Sequence, residues 1–218
     1  MRVIAGEKGG RRLLAPSGRG TRPTSDRVRE AAFSMLDSQG VLDGARVWDL
    51  FAGSGAMGIE ALSRGAAHAT FVEQAQSAAA AARANLAALG YGPGRARVVC
   101  AEVLSWVGSQ TGAYSLLHAA GRPSWRPPGQ ASLTTETERG MIVDVVTADP
   151  PYAWQGWGAL FGALAPLGPL VVAETGDVLA VPDGWTALRS RRYGGTVVTL
   201  ARPNEGHNEP NRQRSVRG

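Results

Sequence analysis

From residue 45 onward, short apolar runs alternate with longer helix-forming stretches, and this alternation constrains the fold more than any other feature of the chain. ARVWDL is followed by a glycine-rich turn and a helix, ATFVE by an alanine-rich helix over about residues 75–89, and ARVVC by a helix near Leu104. Runs of this length suit strands. Strands joined by helices must lie parallel, because a parallel pair needs a long crossover, and helical crossovers cover both faces of the resulting sheet. Further on, MIVDVVTAD returns to strand character and ends at Pro150-Pro151, where two missing amide donors stop a ladder. A helix over about residues 154–164, the strand PLVVAE, and a closing pair at TALRSRRY and TVVTLA complete the sheet.

With 218 residues, the chain suffices for one well-buried domain and a modest appendage. No apolar run approaches the roughly 20 residues of a membrane span. Cys100 is the only cysteine, and the polar, basic start MRVIAGEKGGRR lacks the apolar core of a secretion signal, so a cytoplasmic location is expected, and separately a monomer. His68, His118 and His207 are scattered, which leaves no metal-ligand spacing and predicts no metal.

The net charge of +5 favours a polyanionic partner, and its distribution sharpens the inference, since residues 1–30 hold eight basic side chains against Glu7, Asp26 and Glu30. The remainder of the chain is near neutral. Within this basic segment VIAGEKGGRRLLAP reads as a β-hairpin around a Gly-Gly turn, with arginines on its exposed side. Such a short hairpin is marginal alone and needs a polyanionic partner or the main domain to hold it. Removing residues 1–20 is therefore expected to leave a folded protein. After the loop SGRGTRPT, Thr24 or Ser25 can cap a helix whose positions Val28, Ala32, Met35 and Leu36 share one apolar face. Arg27 and Arg29 read either as substrate contacts or as a solvated helix face. The expected organisation is a basic extension at 1–40 suited to a polyanionic partner, the main domain at 41–202 with an exposed insertion at 118–140, and a disordered tail at 203–218.

VWDLFAGSGAMGIEAL puts Asp49 at the end of a strand, and the turn Phe51, Ala52, Gly53 and Gly55 just beyond it. Glycines there let the backbone approach a ligand closely, and the next helix presents its N-terminal amides to the same place. Glu73 ends the following strand, where a carboxylate can accept from both hydroxyls of a ribose. Gly53, Gly55 and Gly58 also spell GxGxxG with Glu73 twenty positions after Gly53, the pattern of a dinucleotide site. Two features oppose that reading: the Asp49 charge would face a pyrophosphate, and two residues separate the strand from the first glycine. A carboxylate there suits a cation, and S-adenosylmethionine carries both an ammonium and a sulfonium.

Asp149-Pro150-Pro151-Tyr152 at a strand end is the most specific pattern in the chain. The amino group of a nucleobase delocalises its lone pair into the ring and must pyramidalise before it can accept a methyl group. Asp149 and the Pro150 carbonyl can each accept one N–H, while Tyr152 stacks on the base, a task for its ring more than its hydroxyl. Asp149 needs to act only as an acceptor, taking a proton late. The glycine turn and this tetrapeptide belong on the same carboxyl edge of a doubly wound sheet.

On these residues the chain resembles the bacterial 16S ribosomal RNA guanine-N2 methyltransferase family. The matching stretches are TRPTSDRVREAAF from Thr21 to Phe33, DLFAGSGAMGIEALSRGA from Asp49 to Ala66, FVE ending at Glu73, and ADPPY ending at Tyr152. RPTSDRVRE discriminates, because Asp-Pro-Pro-Tyr is shared with adenine-N6 and cytosine-N4 DNA methyltransferases and with glutamine methyltransferases. The resemblance implies a Rossmann-like class I fold: α/β, doubly wound, seven mostly parallel strands with the last antiparallel, and an N-terminal hairpin extension. It implies S-adenosylmethionine held by Asp49, Phe51, Ala52, Gly53, Gly55, Glu73 and Gln74, with Glu102 and Val103 beside the adenine. Glu102 departs from the family's usual aspartate, and the 118–140 insertion from its shorter connection. The implied partner is ribosomal RNA, free or in an assembling small subunit, contacted by Arg11, Arg12, Arg22, Thr24 and Arg27. A DNA amino-methyltransferase and a non-enzymatic RNA-binding module are the alternatives.

Overall fold

The structure, a computed structural model, describes residues 1–15, 25–118 and 143–204. Arg22 and Thr24, residues 119–140 of the expected insertion, and the tail from residue 205 lie outside the described residues.

The chain runs α1 (Asp26–Asp37), β1 (Arg46–Leu50), α2 (Ala56–Ser63), β2 (His68–Glu73), α3 (Gln76–Leu89), β3 (Ala96–Cys100) and α4 (Val103–His118). It continues through β4 (Val145–Ala148), α5 (Trp157–Leu164), a 3-10 turn at Ala165–Leu167, β5 (Leu170–Thr175), β6 (Trp185–Tyr193) and β7 (Thr196–Pro203). The seven strands form one sheet in the order β3-β2-β1-β4-β5-β7-β6. β1 to β5 pair in parallel. β7 alone runs the other way, antiparallel to both β5 and β6. This is the mixed, mostly parallel sheet expected from the alternation.

Two apolar clusters flank the sheet. One joins α1, α2 and α3 to the sheet through Phe33, Leu36, Ile59, Leu62, Phe71, Leu86 and Leu200. The other joins α4 and α5 to the opposite face through Trp48, Trp106, Val107, Phe161, Val171 and Trp185. The third glycine of the turn motif makes the first of these possible, because a side chain at Gly58 would come within 2.3 Å of the Phe71 ring. Helix α2 can lie this close to β2 only without a Cβ there.

Strand β4 is shorter than the apolar run that encodes it. Asp144 precedes it and accepts from the Arg46 amide at 2.8 Å, squaring the lower end of β1. Helix α5 starts at Trp157 and not at about 154, because the Trp154 amide is spent closing a turn on the Pro151 carbonyl at 2.8 Å.

The N-terminal hairpin is small, with one antiparallel bridge between Arg2 and Arg12, and it is held firmly. Val3 and Leu13 are buried in the first cluster. The Ile4 and Ala5 amides donate to the Glu60 carboxylate at 2.7 and 3.0 Å, and the Leu14 amide donates to Asn85 at 2.7 Å. Ser25 caps α1 by accepting from the Val28 amide at 3.2 Å. The expected apolar face is buried, but Arg29 is not on a solvated one. It is fully buried, donates to the Arg2 carbonyl, and pairs with Asp26 at 3.0 Å.

Candidate active site

Strands β1 and β4 are adjacent and parallel, so the turns at their carboxyl ends open side by side. After β1 the backbone reverses sharply: Phe51 adopts φ 60° and Gly55 φ 84°. The left-handed conformation costs a residue with a side chain roughly 1–2 kcal/mol, so strain sits at Phe51 in the middle of the turn.

Asp49 is buried, and both of its oxygens have donors. The Gly58 amide reaches Oδ2 at 2.8 Å and the Thr147 hydroxyl reaches Oδ1 at 3.0 Å. Part of its work is therefore to cap α2 and brace the turn. Thr147 was not legible as a site residue; it faces Asp49 because the two are in register across β1 and β4. Burial pushes the Asp49 carboxyl up to about 7, against the two hydrogen bonds, and the neighbouring charges of Asp149 and Glu73 add to the rise.

At the end of β2, Glu73 accepts from the Gly53 amide at 2.9 Å and from the Ala75 amide at 2.7 Å. A carboxylate has about four acceptor positions, so this one retains capacity for hydroxyl donors. Gln74, next to it, is exposed. Glu102 follows β3 and is exposed, with its oxygens on the Leu104 and Ser105 amides at 2.9 and 2.8 Å. Those bonds, Ser105 first and then Leu104, hold its pKa below the ordinary range. Glu102 therefore caps α4, and Val103 behind it is buried.

Asp149 follows β4 directly and lines a small cleft with Ala32, Met57, Ala148, Val172 and Glu174. Two of these residues carry contacts that the sequence did not suggest: Ala32 brings α1 to the site, and Glu174 adds a second carboxylate from the end of β5. Pro150 is buried, and Pro151 is exposed. Tyr152 is 48% exposed, so its ring offers a face. Its hydroxyl is not idle, being 2.6 Å from the Thr196 hydroxyl at the start of β7. A side chain at Gly176 would meet the ring at 3.1 Å, so Gly176 supports the ring from beneath. This contact sits beside the stacking role expected mainly of the ring.

The structure thus brings Asp49, Phe51 to Gly55, Glu73, Asp149 and Tyr152 to one edge of the sheet. Arg11, Arg12 and Arg27 lie away from its apolar layers and are exposed. Among the described residues no cluster of His, Cys, Asp or Glu could hold a metal ion, and no helix is long and apolar enough to cross a membrane.

This sheet order, with a glycine turn after β1 and Asp-Pro-Pro-Tyr after β4, defines the chain as a class I, Rossmann-like methyltransferase fold. A solved structure of the Escherichia coli protein yhhF superposes with a TM-score of 0.68 at 30% identity, over 93% of this chain and 97% of that one. The family model described as Conserved hypothetical protein 95 matches residues 1–114. Ribosomal RNA small subunit methyltransferase D of Haemophilus influenzae (strain ATCC 51907 / DSM 11121 / KW20 / Rd) is 30% identical over 201 residues, 89% of each chain. The protein of that name from Escherichia coli (strain K12) is 39% identical over 137 residues, covering 63% of this chain. The matched stretch spans 64% of that E. coli relative's length and 47% of a Bacillus subtilis relative's. The chain belongs to the family of ribosomal RNA small subunit methyltransferase D.

Proposed function

We propose that this protein transfers a methyl group from S-adenosylmethionine to the exocyclic N2 of a guanine in 16S ribosomal RNA. The observation that carries this reading is the placement of Asp149-Pro150-Pro151-Tyr152 at the end of β4, next to the glycine turn of the adjacent strand β1. Relatives bearing a ribosomal RNA methyltransferase name support the substrate class.

The residues fit S-adenosylmethionine better than a dinucleotide. Asp49, Asp149 and Glu73 lie close enough for the last two to raise the Asp49 pKa, and such a negative region repels a pyrophosphate and attracts a cation. Glu73 would take the ribose hydroxyls, and the turn from Phe51 to Gly55 would lie along the methionine part. Gln74, Glu102 and Val103 would border the adenine. The cofactor supplies an electrophilic methyl carbon on a sulfonium.

The chain's own groups position the other reactant. A flipped-out guanine stacks on the exposed Tyr152 ring, which Gly176 backs and Thr196 fixes in rotation. Asp149 and the Pro150 carbonyl accept the two N–H groups of N2 and turn its lone pair toward the methyl. The proton shed by the amine passes to Asp149 and on to solvent. Arg11, Arg12, Arg22, Thr24 and Arg27 hold the surrounding RNA.

Incubation with methyl-labelled cofactor and either small-subunit RNA or DNA, followed by nucleoside mass spectrometry, tests this. The expected product is N2-methylguanosine from RNA. Methyladenine or methylcytosine from DNA would overturn the reading, as would selective binding of NAD in calorimetry.

A further inference from the structure

Among the described residues, the arginines fall into two sets. Arg2, Arg29, Arg64, Arg95 and Arg192 are engaged in ion pairs. Arg189 and Arg191 on β6 are exposed and, like Arg11, Arg12, Arg27, Arg83, Arg97 and Arg202, make no ion pair among the described residues. The β6–β7 segment from Trp185 to Pro203 carries four arginines and no acidic residue, so nothing within the hairpin neutralises them.

Their direction follows from register. Arg189 is opposite Leu200 and Arg191 opposite Val198, and directly opposed residues share a face of the sheet. Leu200 and Val198 belong to the cluster under α1, so both arginines point to the side of the sheet that carries α1 with its exposed Arg27. The hairpin is also tied to the catalytic loop twice. Thr196, where β7 begins, holds the Tyr152 hydroxyl at 2.6 Å. Arg192 donates to the Gly176 carbonyl at 3.1 Å, fixing the loop on which the Tyr152 ring rests.

We propose that the outer strand β6 is a second phosphate-binding surface, on which Arg189 and Arg191 hold the RNA backbone beside the base presented to Tyr152. Charged side chains also serve to blunt an exposed sheet edge, and Arg97 lies exposed on β3 at the opposite edge. Strand β6 differs in carrying its unpaired arginines on the α1 side and in leading to the catalytic loop through Tyr193 and the turn before Thr196. The inference rests on the proposed RNA substrate and adds a surface to it.

Arg97 supplies the internal control. With a labelled single-stranded oligoribonucleotide, the double variant Arg189→Ala, Arg191→Ala is expected to weaken binding and to flatten the dependence of log affinity on log salt by about 0.7 per lost contact. Arg97→Ala should leave both unchanged. In methylation assays the double variant should raise the KM for RNA and leave kcat near normal, and the Arg189→Lys, Arg191→Lys pair should keep the salt slope. A double variant with wild-type affinity and slope would overturn the inference alone, provided the wild type binds RNA. An equal loss in Arg97→Ala would also overturn it, because the effect would then be diffuse charge. A wild-type protein with no salt-dependent affinity for RNA would overturn the inference and the proposed substrate together.

Discussion

The rings of Phe51 and Trp154 meet edge to face with centroids 4.9 Å apart. This joins the turn after β1 to the loop after β4, so the two halves of the site lean on one another. Trp154 in turn packs on Trp157 at 5.2 Å, carrying the contact into α5. The proposed cofactor half of the site and the proposed base half are therefore mechanically joined.

Trp154→Leu should lower both cofactor affinity and turnover, although Trp154 is expected to touch neither reactant. An aromatic pair of this kind is worth about 0.5–1.5 kcal/mol beyond its buried area, which corresponds to a loss of roughly threefold to tenfold in affinity. Calorimetry with S-adenosylmethionine and single-turnover methylation measure the two effects. If only turnover falls, Phe51 holds its strained conformation without help from Trp154.

The second prediction concerns pH. The Asp49 carboxyl is pushed up to about 7, from an ordinary value of 3.8, chiefly by burial. Between those values the folded state retains a proton that the unfolded chain has lost. Stability without ligand should therefore fall as pH rises from about 4 to about 7, then level off. Asp49→Asn should remove this part of the decline, as read by denaturant unfolding at a series of pH values. A cationic cofactor favours the ionised carboxylate, so its affinity should climb through pH 7 in the wild type and lose that climb in the variant.

Tyr152 and Thr196 yield a prediction by double-mutant cycle. Tyr152→Phe and Thr196→Val each delete one side of the 2.6 Å hydrogen bond. A net hydrogen bond contributes about 0.5–1.5 kcal/mol, so each should raise the KM for RNA several-fold. The double variant should be little worse than either single one, and Thr196→Ser should restore the wild-type value. Tyr152→Ala, which removes the stacking face as well, should cost considerably more. Additive losses would show that the hydroxyl contact does not set the ring.

The alternation of strand and helix, the glycine turn and Asp-Pro-Pro-Tyr are local patterns, and they were legible in the sequence. What escaped depended on register and distance along the chain. Thr147 is an ordinary strand threonine until β4 is aligned with β1 and places it opposite Asp49. Thr196 lies 44 residues from Tyr152, and nothing near either residue announces the contact. Glu102 has the character of a site carboxylate in sequence, and the bonds it also accepts from the first turn of α4 could not be read there. Arg29 has the spacing of a surface residue, and only the descent of the N-terminal hairpin over α1 buries it.

That hairpin carries the last prediction. Glu60 is fully buried and accepts from the Ile4 and Ala5 amides and from Arg64 at 2.8 Å, with Arg29 Nε 3.9 Å away. Removing residues 1–14 would take two donors from a buried carboxylate, along with the buried side chains of Val3 and Leu13. Hydrogen bonds to a charged group are worth about 1.5–3 kcal/mol each, so the two together are a large share of a typical stability of 5–15 kcal/mol. The truncated protein should unfold at much lower denaturant, contrary to the expectation that residues 1–20 are dispensable for folding. Glu60→Leu in the full chain should also be severe, on the order of 3 kcal/mol or more, because it leaves the buried Arg29 short of a counter-charge. Arg11→Ala with Arg12→Ala, by contrast, should leave the unfolding midpoint unchanged while weakening RNA binding, since both side chains are exposed. Equal stability of the truncated and full-length chains would mean that Glu60 finds other donors once the hairpin is gone, and that the hairpin serves RNA alone.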